Sequence, residues 1–169
     1  MKKIAFIYDE QGEYAPREGF DFVKRDNIAA IIKFQNEYLL LEYNNVNYSR
    51  SLVTGGIEKD EDKTASVKRE VIEETGYLDI ESITPVDCIN VSRFFVEHKH
   101  QNREATFYPF LVTLKSKQKV DIAVEEEQEH KCIWIDEKRI DEIDIFDNHR
   151  RMLNAAMENK IPQNVEEWS

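Results

Sequence analysis

Apolar residues in this chain come in short runs separated by polar turns, and in one stretch near the middle the spacing changes to that of a helix. Ile4 to Tyr8 predicts a first strand, and Asp9 to Gly19, punctuated by Gly12, Pro16 and Gly19, predicts a turn or loop. Asn27 to Phe34 and Tyr38 to Tyr43 are joined by Gln35-Asn36-Glu37, which predicts a hairpin apolar enough to be covered on both faces. Asn44 to Ser51 is polar and leads into Leu52-Val53. Lys63 to Thr75 holds neither Pro nor Gly; Asp62 suits its N-cap and Gly76 the left-handed residue that closes a helix. Short β-prone runs follow around Pro85. Ser92 to Val96 and Ala105 to Leu114 predict two strands flanking a polar loop from Glu97 to Glu104. Lys115 to Glu129 is charged and predicts loop, Lys131 to Ile135 a strand with Trp134 in the core, and Asp147 to Lys160 a closing helix ended by Pro162. Strands with one central and one terminal helix imply an α/β fold with a mixed sheet between helices.

Composition narrows the setting. With 169 residues, 41% of them hydrophobic, the chain suits one domain, 1–169, with a core of its own. The segment of about 1–23 is its N-terminal strand and loop, and about 147–160 its C-terminal helix. A net charge of −11 argues against broad nucleic-acid or anionic-membrane binding, which needs clustered Lys and Arg. It leaves room for a small anionic substrate if a metal ion supplies the missing positive charge. Cys88 and Cys132 lie in no CxxC or Cys/His spacing and read as reduced thiols. Five apolar residues after Met1-Lys2-Lys3 are too few for a signal segment, and no run approaches a membrane span, so the expectation is a soluble cytoplasmic protein.

The chemistry concentrates between Gly55 and Tyr77. At 3.6 residues per turn Glu70, Glu73 and Glu74 fall within an arc of about 100°. Like charges at i,i+4, such as Glu70 and Glu74, destabilise an isolated helix, so something positive should offset them. Lys68 and Arg69 could do so as surface neighbours, leaving an ordinary solvated face. A hard divalent cation with oxygen ligands could do it better. The full spacing matches G-x5-E-x7-R-E-U-x-E-E-x-G-U, where U is bulky and apolar. The fixed positions are met by Gly55, Glu61, Arg69, Glu70, Glu73, Glu74 and Gly76, with Val71 and Tyr77 at the U positions. On these residues the chain resembles the Nudix hydrolase family of MutT-like pyrophosphohydrolases acting on a nucleoside diphosphate linked to another moiety.

The resemblance implies a Nudix α/β/α sandwich, with Mg²⁺ or Mn²⁺ held against a diphosphate and water attacking phosphorus. Carried over by position, Glu70 and Glu74 are direct metal ligands, and Glu73 is a further ligand or the group that polarises water. Gly55, Glu61, Arg69 and Gly76 are structural, Arg69 pairing with a carboxylate such as Glu61. Two positions depart from the family pattern: Thr54 stands before the first box glycine, and Asp60 where glycine is common. Some members place a further glutamate before the last strand as general base; the acids here are Glu125, Glu126, Glu127 and Glu129, of which Glu126 and Glu127 are taken as candidates.

Outside the box, Tyr48 and Arg50 are candidates to stack on a base and bind phosphate, and Arg103, near His98-Lys99-His100, to clamp phosphate; each has an ordinary exposed-loop alternative. One of Phe94 and Phe95 should be core and the other free to face a ligand. His149 is expected at the surface. The region some sixteen residues beyond the box reads Ser92-Arg93-Phe94-Phe95, with neither the proline nor the tyrosine that marks particular family subgroups, Pro85 coming too early and Pro109 too late, so the expected partner is a small nucleotide-type substrate without further definition. The alternatives are a catalytically silent nucleotide-binding sensor of the same fold and an RNA-end processing hydrolase. A homodimer is compatible with the family.

Overall fold

The apolar run from Ile28 to Ile32 lies at the centre of a mixed sheet in a computed structural model, which describes residues 4–44, 50–158 and 166–167. Tyr48, Pro162 and the end of the expected terminal helix lie outside those residues. In chain order the strands are β1 (Ile4–Asp9), β2 (Phe22–Phe34), β3 (Glu37–Tyr43), β4 (Val53–Gly56), β5 (Ile80–Pro85), β6 (Ile89–Val96), β7 (Gln101–Leu114), β8 (His130–Asp136) and β9 (Glu166–Glu167). The α-helices are α1 (Lys63–Thr75), α2 (Val124–Glu129) and α3 (Asp147–Glu158). The sheet runs β8-β3-β2-β7-β6-β1-β9, with β4 added beside β2 and β5 beside β7.

Alternation along β2 assigns the two faces. Ile28, Ala30 and Ile32 pack with Leu39, Leu41, Phe110 and Val112 beneath Val67 and Val71 of α1. Ala29 and Ile31 pack with Tyr38, Leu40 and Leu52 beneath Met152 and Leu153 of α3. A strand clothed on both sides reads as a continuous apolar run, and this is the expected α/β/α sandwich. No helix among the described residues is long and apolar enough to cross a membrane.

The expected hairpin forms, but only briefly. β2 and β3 pair at Lys33↔Tyr38 and Phe34↔Glu37, after which β3 continues against β8. β4 fills the opening beside β2, from Asn27↔Gly56 to Ala30↔Val53. That insertion carries Gly55 and Gly56 into the sheet and so aims the start of the box.

Three segments differ from the sequence expectation. β2 begins at Phe22 rather than Asn27, and β7 at Gln101 rather than Ala105, because the two pair in parallel from Phe22↔Asn102 to Lys33↔Thr113. Residues 22–26, Phe-Val-Lys-Arg-Asp, are exposed on both faces, so their backbone pairing leaves no apolar alternation in the sequence. Val124–Glu129, expected as loop, is the short helix α2. Trp134 is only partly buried: it packs edge-on against Tyr77 and donates its indole N–H to the Tyr77 hydroxyl at 2.9 Å.

Candidate active site

The box folds as β4, an acidic loop and α1. Asp62 caps the helix, its carboxylate accepting the Ala65 N–H at 2.7 Å, a contact of the kind that contributes about 1 kcal/mol. Gly76 ends it with φ +78°, and a Cβ there would run into the Val120 carbonyl, whose own N–H donates to the Gly76 carbonyl. The left-handed geometry and the close approach together exclude a side chain. Asp60 is also left-handed, at φ +62°, which accounts physically for glycine being the easier residue in this loop.

Arg69 is the hub. Its Nε donates to Glu61 Oε1 at 2.9 Å and Nη2 to Glu61 Oε2 at 3.0 Å, a two-pronged pair. Nη2 also donates to the Gly56 carbonyl at 3.0 Å, tying the helix to β4. Nη1 donates to Glu70 Oε1 at 2.6 Å and reaches Glu73 Oε2 at 3.4 Å. The Arg69 guanidinium and the Glu58 N–H hold the Glu61 carboxyl down at about 2. Arg69 is pushed up from its ordinary value, chiefly by Glu61.

Glu70 is 9% exposed, and a Cβ added at Gly55 would overlap its carboxylate. Glycine is therefore required at 55 so that Glu70 can lie flat against the strand. Burial raises the Glu70 pKa, and Arg69 opposes the rise. Glu74 is pushed up to about 8, first by burial and then by the charges of Glu70, Glu126, Glu129 and Glu73. Glu73 is the most open of the three, with 54% of its side chain exposed.

The helix α2 brings Glu126 and Glu129 into this electrostatic neighbourhood, and β8 adds His130. One ring nitrogen of His130, Nε2, lies 2.9 Å from the Glu74 carbonyl, an acceptor, so Nε2 carries a proton and donates it there. Nδ1 stands 3.8 Å from Glu126 Oε2. Ligand atoms of Glu126, Glu129 and His130 lie within 4.8 Å of one another, whereas Glu70, Glu73 and Glu74 do not form such a group; Arg69 holds one Glu70 oxygen. Tyr43 packs edge-on against His130, and burial together with the Glu74, Glu129 and Glu126 charges raises its pKa. Carboxylates crowded around Glu74, with a buried imidazole beside them, suit a hard or borderline divalent cation.

The remaining candidates are dispersed. Glu127 lines a cleft with Tyr77, Lys119 and Lys131 rather than joining the carboxylates around Glu74. Arg50 pairs with Glu42 at 3.3 Å, a carboxylate that also takes Lys131. Arg103 is on β7 rather than in a loop, opposite Phe94. Of the paired phenylalanines, Phe95 is buried and Phe94 opens into a cavity of about 290 Å³ on the α3 face. Phe107, Phe146, Ser92, Asn148 and His149 line it too.

His149 is buried rather than at the surface. The Leu52 N–H donates to its Nδ1 at 2.9 Å, and burial holds its pKa down at about 4, so it is a neutral ring with the proton on Nε2. Asn148 donates to Ser92 Oγ at 2.7 Å. Asn90, fully buried, has neither amide atom hydrogen-bonded. The spacing Glu126-x3-His130 was the available sequence signal for His130; nothing in the sequence singled out His149.

A family model described as NUDIX domain matches residues 23–156. No curated protein matches the chain. Among solved structures, the fold is similar to the E. coli dihydroneopterin triphosphate pyrophosphohydrolase, with TM-score 0.63 and 17% identity over 83% of this chain and 100% of that one. It is similar to the NUDIX domain of Shewanella oneidensis NrtR complexed with ADP ribose, with TM-score 0.60 and 14% identity over 81% and 88%. A MutT NUDIX hydrolase from Burkholderia pseudomallei gives TM-score 0.55 and 19% identity over 78% and 97%.

Proposed function

The chain belongs to the NUDIX family, and from that premise we propose that it is a pyrophosphohydrolase cleaving the diphosphate of a nucleotide-type substrate with Mg²⁺ or Mn²⁺. The observation that carries this reading is the set of mutually repelling carboxylates from two helices, Glu70 and Glu74 on α1 with Glu126 and Glu129 on α2. A divalent cation bound there would neutralise phosphoryl oxygens and acidify water. By their positions in the box Glu70, Glu73 and Glu74 would hold it beside the gathered ligand atoms of Glu126, Glu129 and His130, and Arg69, anchored on Glu61, would fix the orientation of Glu70 and Glu73. Glu126 is the better placed of the two base candidates, since it shares the field of Glu74 and its carboxylate stands 3.8 Å from His130 Nδ1. The aromatic cavity with its neutral His149 suits a flat heterocycle. This agrees in kind with the pterin and adenine compounds named for the structural neighbours.

The test is hydrolysis with Mg²⁺ of a panel of nucleoside triphosphates, ADP-ribose, dinucleoside polyphosphates and nucleotide sugars, run beside Glu73→Gln and Glu74→Gln. Cleavage by the wild type, reduced roughly 10²-fold in the variants, supports the reading. No cleavage of any compound, with a nucleotide still raising the melting temperature, replaces it with a binding role.

A further inference from the structure

In a chain of net charge −11, an arginine without a carboxylate stands out. Arg17, Arg50, Arg69, Arg93, Arg139 and Arg150 each have one within 4.0 Å. Arg25 and Arg103 have none among the described residues, and they are neighbours. Arg103 pairs across β2 with Val23, and Arg25 pairs with Ala105, which makes the two arginines diagonal on one face of the sheet. Arg103 Nε is buried with no hydrogen-bond partner, and burial together with the Arg25 charge lowers the Arg103 pKa. Two like charges held together, one of them partly desolvated, are a cost that the folded chain does not recover among its described residues.

Their position gives that cost a use. Register rows tie them to the cavity: Arg25↔Ala105↔Ser92 in one row, and Arg103↔Phe94 in the next. Ser92 and Phe94 line the aromatic cavity. On the other side, the Arg25 guanidinium lies against Gly56, 2.9 Å from where a Cβ would stand, while the Glu70 carboxylate lies against Gly55. The pair therefore stands between the aromatic cavity and the box carboxylates.

We propose that Arg25 and Arg103 form a phosphate clamp, gripping the phosphate on the nucleoside side of the scissile bond while the heterocycle occupies the cavity between Phe94, Phe107 and Phe146. Guanidinium forks match phosphate oxygens in two-pronged geometry, and an incoming dianion removes the repulsion between the pair. This deepens the hydrolase reading and rests on it for the role of the clamp in turnover, whereas anion binding as such stands apart from it.

The experiment is calorimetric titration of inorganic pyrophosphate into the full chain in EDTA at low salt, for wild type, Arg25→Gln, Arg103→Met and the neighbouring exposed control Lys24→Gln. The expected result is saturable binding by wild type and Lys24→Gln, weakened at least tenfold in both arginine variants. The unliganded Arg103→Met protein should melt at the same temperature as wild type or higher, because a partly buried guanidinium without a carboxylate has been removed. On a substrate the enzyme cleaves, both arginine variants should raise KM at least tenfold with kcat less affected. The clamp is refuted by absent wild-type binding, by binding within twofold of wild type in the arginine variants, by an equal loss in Lys24→Gln, or by a lower melting temperature in Arg103→Met. Arginine-dependent pyrophosphate binding without hydrolysis of any panel compound would keep the clamp and remove the hydrolase reading. Hydrolysis with unaltered arginine variants would do the reverse.

Discussion

Glu74→Gln should make the metal-free protein more stable at alkaline pH and leave it unchanged in acid. The folded-state pKa of Glu74 is about 8 against an ordinary 4.5, raised by burial first and then by Glu70, Glu126, Glu129 and Glu73. At about 1.4 kcal/mol per pH unit, that difference corresponds to about 5 kcal/mol for an isolated, unscreened group. Glu74 is partly exposed, so water screens it, and about 2–3 kcal/mol is the reasonable expectation. The sign follows from proton counts. Between pH 4.5 and 8 the folded state holds a proton on Glu74 that the unfolded state has lost, so stability falls as pH rises through that window. Below 4.5 both states are protonated and the effect vanishes; above 8 the cost is fully present. Glutamine cannot ionise and should flatten this slope. Urea unfolding in EDTA at pH 5, 7 and 9 measures it directly. Wild type should lose about 2–3 kcal/mol more than Glu74→Gln between pH 5 and 9. Parallel curves, within about 0.5 kcal/mol, would mean that Glu74 ionises as an ordinary surface carboxylate and that the crowding argument is wrong. Because Mg²⁺ needs the carboxylate ionised, the stabilisation it gives should increase with pH across the same window.

Other expectations follow from single contacts. Gly55→Ala places a methyl on the Glu70 carboxylate, so activity should fall roughly 10²-fold and the melting temperature should drop; unchanged activity would contradict the packing. Asp60→Gly relieves a left-handed aspartate and should raise stability by about 1 kcal/mol in urea unfolding, with the loop less stiff during turnover. Arg69→Lys cannot keep the paired contact to Glu61, and activity should fall about 10–100-fold. Asn90→Leu removes a buried amide with no partner and should leave stability unchanged or raise it by about 1 kcal/mol; a clear loss would show that Asn90 has a structural partner.

The parts of the fold that were legible in the sequence are those where a local rule and the tertiary structure agree. The helix from Lys63 to Thr75, its Asp62 cap and its Gly76 stop satisfy both at once. The sandwich was legible because Ile28 to Ile32 and Leu39 to Leu41 are apolar on both faces. What escaped was set by partners distant in the chain. Residues 22–26 are exposed and without apolar alternation, becoming strand because β7 lies beside them, and the same pairing brings Arg25 next to Arg103. His149 looks like any polar residue on an amphipathic helix until the Leu52 N–H, 97 residues away, requires an acceptor. Glu126 and Glu129 separate from Glu127 only once α2 has turned, since four acids in five positions offer no periodic contrast.

The adjacent glycines of β4 have a consequence for how this protein can change. With Glu70 lying over Gly55 on one side and Arg25 over Gly56 on the other, the strand acts as a thin partition between two workshops. The residues around the α3-side cavity, such as Phe94, Phe107 and Phe146, can vary in shape without touching the carboxylates on the α1 side. A new preference for one ring system over another can therefore arise by drift or by design at the cavity while the hydrolytic side stays as it is. The partition itself has no such freedom, because any side chain added to it displaces a charged group.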